Sequence, residues 1–158
     1  MGIVGNCIGV IEMKIRLMNL SDYNDVYNLW INTPGMGLNT TDDSEEGIKK
    51  YLERNPNTCF VAENNGSIIG VIMSGHDGRR GFIHHTAVKV SERQHGIGSS
   101  LLEYAMTALK NEGINKVALV VFDENEIGNI FWERNGFACR EDLKYRNKNI
   151  NDLKRINT

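Results

Sequence analysis

The sequence predicts a single-domain mixed α/β fold, with a central, mostly antiparallel sheet and helices on both faces. Three observations carry this. Two apolar runs flank Asn64-Asn65-Gly66, and Asn and Gly tolerate the positive φ of a tight hairpin, so the middle of the chain reads as an antiparallel meander. A turn with Gly96 and Gly98 then leads into the most strongly periodic helix of the chain, with apolar residues at helical spacing. The β-branched run KVALVVF, residues 116–122, follows that helix, reads as a buried strand and completes a β-α-β crossover. At 158 residues the chain suits one domain with a proper core. The expected domain covers residues 13–150, between a flexible N-terminal extension of residues 1–12 and a C-terminal tail of residues 151–158.

The elements follow in order. MKIRLM, residues 13–18, alternates and reads as a first strand. Ser21 is the expected N-cap of a helix carrying Val26, Leu29 and Trp30, which Thr33-Pro34-Gly35 ends. A polar, glycine-bearing loop runs from Gly35 to Asp43. Asp43-Ser44-Glu45-Glu46 opens a second helix, its acids at the positive end of the dipole. CFVAE, SIIGVIMS and FIHHTAVKV are the three strands of the meander, the last two joined across His76–Gly81. Ile97, Leu101, Ala105 and Leu109 form one stripe of a helix that Gly113 closes. After the 116–122 strand, Asn125 leads into a short helix ended by Asn135-Gly136. LKYRNK, within 137–149, is a candidate further strand.

Composition bounds the function. Net charge is −2, so bulk charge gives a nucleic-acid partner no support. Cys7, Cys59 and Cys139 make no CxxC pair. That argues against a disulfide framework or a zinc cluster, and for a reducing, cytoplasmic setting. No apolar run approaches the ~20 residues that span a bilayer, and the N-terminus lacks the basic region of a signal peptide. It matches a myristoylation start only in part, since Asn6 stands where Ser or Thr is required.

The most informative stretch is Val88-Lys89-Val90-Ser91-Glu92-Arg93-Gln94-His95-Gly96-Ile97-Gly98-Ser99-Ser100. A strand ends, two glycines turn the chain, and a long helix begins. The first turn of a helix exposes unpaired N–H groups and partial positive charge, which an anion satisfies. Arg93 adds a full charge, and Ser99 and Ser100 add hydroxyl donors. No lysine follows Gly98, so this is no P-loop, and Leu101 stands where a dinucleotide fingerprint needs its third glycine.

The spacing that fits is R/Q-x-x-G-x-G/A, met by Arg93, Gly96 and Gly98. With Ala87-Val88 before it, Asn125 after the next strand, and FWERNGF at 131–137, the chain resembles the GNAT N-acetyltransferase superfamily over roughly residues 14–145. The resemblance implies a sheet in which two parallel strands, here 82–90 and 116–122, splay apart around acetyl-coenzyme A. It implies that the pantetheine arm pairs with backbone of Val88, Lys89 and Val90, and that the Val88 N–H serves the developing oxyanion. Arg93, Gln94, His95, Gly96, Ile97, Gly98, Ser99 and Ser100 would hold the pyrophosphate, and Asn125, Asn129 and Trp132 would line the pantetheine side. It implies direct acetyl transfer to a primary amine, on a small molecule or on a protein N-terminus or lysine, without a metal. Nucleic acid and membrane are not expected partners, and the chain is expected as a monomer or homodimer.

The sequence departs from the family at one place. Seven residues beyond Asn125, where relatives often carry a proton-donating Tyr, stands Trp132. An indole donates a hydrogen bond but no proton at physiological pH. Trp132 is therefore a candidate beside the sulfur or a packing residue. His84 and His85 precede Val88, and strand alternation puts them on opposite faces. His84 shares parity with Thr86 and Val88 and is the candidate base, with Glu63, Asp77 or a water relay as alternatives. A non-catalytic coenzyme-A sensor on the same fold is the competing reading, motivated by the missing Tyr. A nucleotide-binding domain is a third, disfavoured by both failed motifs.

Overall fold

The computed structural model describes residues 13–158, so the expectations for residues 1–12 lie outside the described residues. The chain runs β1 (Met13–Leu17), α1 (Tyr23–Ile31), β2 (Leu38–Asn39), α2 (Glu45–Arg54), β3 (Phe60–Asn64), β4 (Ser67–His76), β5 (Gly81–Val88), α3 (Ile97–Asn111), β6 (Val117–Leu119), α4 (Glu126–Arg134) and β7 (Arg155–Ile156). Short 3₁₀ turns precede α1 and follow β5. Five strands form one sheet in the order β1-β3-β4-β5-β6. All pairs are antiparallel except β5 with β6, which is parallel. This is the mixed sheet the sequence predicts.

Alternation along the central strands builds two cores. Val61, Val71, Met73 and Ala87 face α1 and α2, where they meet Val26, Leu29, Trp30, Ile48 and Leu52. Phe60, Ala62, Ile72 and Ile83 face α3, where they meet Ile97, Leu101, Leu102 and Ala105. The α3 stripe is buried to its end, since Leu101 and Ala105 are fully enclosed and Leu109 nearly so. Truncating such a leucine to Ala costs about 2–5 kcal/mol.

Turn chemistry agrees with the sequence at Asn65 and Gly66, which take φ of 50° and 80°. Three local expectations are corrected. Asn19, not Ser21, caps the entry to α1: its carboxamide accepts from Ser21 N–H while Asp22 reaches back to the Asn19 N–H, a reciprocal box. The run 116–122 forms only a three-residue strand, and Val120 and Phe122 are half exposed rather than buried. It lies at the end of the sheet order, so among the described residues only β5 pairs with it. LKYRNK forms no strand, because its apolar residues Leu143 and Tyr145 find no core and stay exposed. Instead Arg155–Ile156, in the expected tail, pairs with Leu38–Asn39 in the expected loop. Leu38 is buried in the α1/α2 core and draws that loop inward.

Candidate functional site

The parallel ladder between β5 and β6 is short. Gly81, Phe82 and Ile83 pair with Val117, Ala118 and Leu119, and there it stops. β5 continues beside β4 as far as Val88. The edge of β5 beyond Ile83 therefore faces an opening in the sheet, with Val120 and Phe122 on its far side. A bulge marks the same point. Between Ile72↔Thr86 and Ser74↔Ile83, β5 carries one residue more than β4, and such an insertion bends the strand.

The bulge overturns the expectation that alternation separates the two histidines. The His84 ring meets Tyr51 of α2 edge-on, and the His85 ring meets Trp30 of α1 edge-on. Both imidazoles thus stand on the α1/α2 face, while Val88 packs on the α3 side. Burial lowers the His84 pKa, and a proton on His85 would lower it further, against an opposing pull from Asp43 and Asp42. The net effect favours the neutral imidazole.

At the far end of β5 the chain turns into α3. Gln94 and Gly96 take φ of 68° and 75°. A non-glycine residue in the left-handed region costs about 1 kcal/mol or more, strain tolerated where the loop must be shaped. Arg93 Nε donates to the Val88 carbonyl at 3.3 Å, which anchors the guanidinium beside the strand end. No side chain caps α3. In α2 and α4, by contrast, Ser44 and Asn125 accept from first-turn N–H groups. The first-turn amides of α3 are thus left for an anion, in a loop that supplies a cation.

Gly98 sits where β5, α3 and α4 converge. A β-carbon there would lie 3.1 Å from the Phe131 ring and 3.7 Å from the Val88 side chain. This is the fit that a diphosphate and pantetheine arm require: bare backbone, an uncapped helix start, and an open strand edge. Several apolar side chains of the segments that follow β5 and β6 and of α4 remain exposed, among them Val90, Val120, Phe122, Ile127 and Ile130.

The α4 residues take distinct places. Asn125 Oδ1 accepts from Gly128 N–H at 2.9 Å and so caps α4, leaving its Nδ2 toward Gly35. Asn129 Nδ2 donates to the carbonyls of Phe122 and Asn125, closing the loop between β6 and α4. Trp132 packs between Phe131 and Phe137, ring centroids 4.9 and 5.3 Å away, against the α3 core.

The two carboxylate alternatives for the base are already engaged. Asp77 Oδ1 is occupied by the N–H groups of Arg79 and Arg80 within its own turn. Glu63 pairs with Arg16 at 3.2 Å, two strands from the opening.

Sequence reasoning missed the strongest polar contact of this region. His85 Nε2 lies 2.6 Å from Asp43 Oδ1. The Asp43 side chain is 5 % exposed and its other oxygen accepts from Asn39 N–H at 2.7 Å. Tyr23 Oη donates to the Asp43 carbonyl. Asp43 read as a helix-start acid, and no local pattern ties it to a strand 42 residues onward. The loop around it closes over the opening: a β-carbon on Gly37 would lie 3.1 Å from the Phe122 ring, and the Arg155 guanidinium stands 5.5 Å above that ring. Among the described residues no cluster of His, Cys, Asp or Glu is arranged to hold a metal ion.

The comparisons with known proteins agree with this architecture. Residues 23–137 match the Acetyltransferase (GNAT) family model. The chain belongs to the GNAT acetyltransferase family. Its fold is similar to Ard1 from Thermoplasma volcanium, with a TM-score of 0.69 and 21 % identity over 78 % of this chain and 81 % of that one. It is similar to the aminoglycoside N-acetyltransferase AAC(6')-Iy in complex with CoA, with a TM-score of 0.68 and 21 % identity over 89 % and 97 % of the two chains. PaiA N-acetyltransferase from Thermoplasma acidophilum, in complex with coenzyme A, gives a TM-score of 0.68 at 17 % identity over 92 % and 98 %.

Proposed function

We propose that this chain is an N-acetyltransferase that moves an acetyl group from acetyl-coenzyme A directly to a primary amine, on a small molecule or on a protein N-terminus or lysine. The observation that carries the reading is the opening between β5 and β6 with an uncapped, glycine-bearing helix start at its end. When bound, the coenzyme supplies an activated acetyl thioester. The backbone of Val88, Lys89 and Val90 offers the pantetheine arm a strand edge. Arg93, Gln94, His95, Gly96, Ile97, Gly98, Ser99 and Ser100 surround the diphosphate. Asn125 Nδ2 borders the opening from α4, Asn129 holds the loop that carries Asn125, and Trp132 stiffens the α4 wall. The acceptor approaches on the α1/α2 face, where His84 and His85 stand on the bulge and the loop at Gly35–Asp43 forms the wall. Holding both substrates in one cleft supplies the proximity term.

A second reading rests on Trp132. With an aromatic that cannot give up a proton in place of an acid, and packed away between two Phe rings, the same cleft would serve a coenzyme-A-binding module without turnover. Two measurements separate the readings. Calorimetry with CoA, acetyl-CoA and ATP should show binding of the first two and not the third. Thiol release from acetyl-CoA across a panel of polyamines, aminoglycosides and peptides should then rise above the amine-free rate for at least one acceptor. Binding without any such rise selects the module, and absence of CoA binding removes both readings.

A further inference from the structure

We propose that His85 is the group that takes the proton from the acceptor ammonium, with Asp43 as its positioning residue. This rests on the acetyltransferase reading above and adds to it the identity of the base. Nε2 of His85 meets the buried Asp43 carboxylate at 2.6 Å. A carboxylate accepts, so Nε2 carries the hydrogen and the Nδ1 lone pair is free. Nδ1 has no hydrogen-bond partner among the described residues, nor is it an enclosed atom. Asp43 is itself fixed: Asn39 N–H holds its second oxygen, and Tyr23 Oη holds its carbonyl. Trp30 meets the imidazole edge-on, at 4.9 Å and 69°, and limits its rotation.

The titratable groups linked to this ring are Asp43 on the loop before α2, whose carbonyl Tyr23 of α1 holds, and His84 on the same strand, which meets Tyr51 of α2 and feels Asp42. His84 is the weaker choice. It lies between Tyr51 and Phe82, with no carboxylate partner to set its tautomer. His85 also sits on the bulge, at the residue where β5 has parted from β6, and on the face lined by the Gly35–Asp43 loop. In the step, one N–H bond of the ammonium breaks and an Nδ1–H bond forms. The amine keeps the electron pair with which it attacks the acetyl carbonyl. Asp43 balances the imidazolium charge until that proton passes to water.

The test compares two nucleophiles on the full chain. Spermidine is protonated at neutral pH and needs a base, whereas hydroxylamine is already neutral. His85→Gln should lower kcat/KM for spermidine, or for whichever protonated amine the panel selects, by about a hundredfold or more. It should leave hydroxylamine within a few-fold and CoA affinity unchanged. Asp43→Asn should lower the amine rate less and shift its pH profile. Equal loss with both nucleophiles, or no loss with either, overturns the proposal while leaving the acetyltransferase reading intact. Loss of CoA binding by the unaltered protein is instead the failure of that reading. A measurement on the unaltered protein stands apart from any folding defect: ¹⁵N NMR should find His85 protonated at Nε2 and bare at Nδ1. The opposite tautomer overturns the assignment.

Discussion

Gly98 at the second position of α3 and Phe131 on α4 stand so close that a β-carbon on the glycine would lie 3.1 Å from the aromatic ring. The two helices that flank the proposed coenzyme cleft therefore meet across bare backbone. A side chain there forces Phe131 aside and fills the space beside the α3 amides; a carboxylate also opposes the coenzyme's phosphates. Gly98→Glu should weaken CoA binding at least tenfold, about 1.4 kcal/mol, by calorimetry, with far-ultraviolet circular dichroism unchanged. Unaltered affinity would place the diphosphate elsewhere.

Asn125 has two functional ends, and substitutions can part them. Its Oδ1 caps α4 through the Gly128 N–H. Asn125→Ala should cost about 1 kcal/mol of stability, the usual loss for a cap. Asn125→Asp keeps an oxygen at the cap and a favourable charge at the helix start, yet removes Nδ2. Thermal unfolding should find the Asp variant near the parent, while calorimetry finds CoA affinity reduced. Equal affinity for CoA in the Asp variant and the parent would make Asn125 a capping residue alone.

Arg16 grips Asp22 through both terminal guanidinium nitrogens, at 2.7 and 2.8 Å, and also reaches Glu63. Burial pushes the Asp22 carboxyl up. The Arg16 hydrogen bonds, the Asn19 N–H and the Arg16 charge outweigh that and hold it below its ordinary value of 3.8. A carboxyl depressed on folding stabilises the protein above its unfolded value, and that contribution is lost as pH falls through the folded one. Asp22→Asn should destabilise by about 1–3 kcal/mol at pH 7, with the difference from the parent shrinking below about pH 4. Urea unfolding at both pH values checks this. A gap that persists in acid would assign the loss to packing.

The last five residues brace the acceptor wall. Thr158 Oγ1 accepts from Met36 N–H, the Lys154 carbonyl accepts from Thr40 N–H, and Arg155 covers Phe122. Deleting residues 154–158 should free the Gly35–Asp43 loop and raise KM for the amine several-fold. CoA affinity should stay within about twofold, because the α3 start lies on the opposite face of the sheet. Steady-state kinetics beside calorimetry would show the split, and a parallel loss of both would contradict it.

The reading from sequence held where information is local. The helix 97–111, the Asn65-Gly66 hairpin, the Asn125 position and the glycine turn after β5 are each encoded within a few residues, as a period, a cap or a left-handed φ. The C-terminal strand failed for the same reason in reverse. LKYRNK alternates, but alternation makes a strand only where one face finds a core, and here Leu143 and Tyr145 find none.

From the sequence alone came the mixed sheet, the order of its five strands and of the four helices, the family, and the stretch that would receive a diphosphate, because spacing and periodicity survive without coordinates. Only the tertiary structure decided that one extra residue in β5 turns His84 and His85 to the same face, that Asp43 meets His85 across 42 residues, and that Trp132 packs between two Phe rings. The physical reason is common to all three. A bulge, an ion pair and a packed aromatic are settled by neighbours that lie close in space and far along the chain, and no local pattern records them.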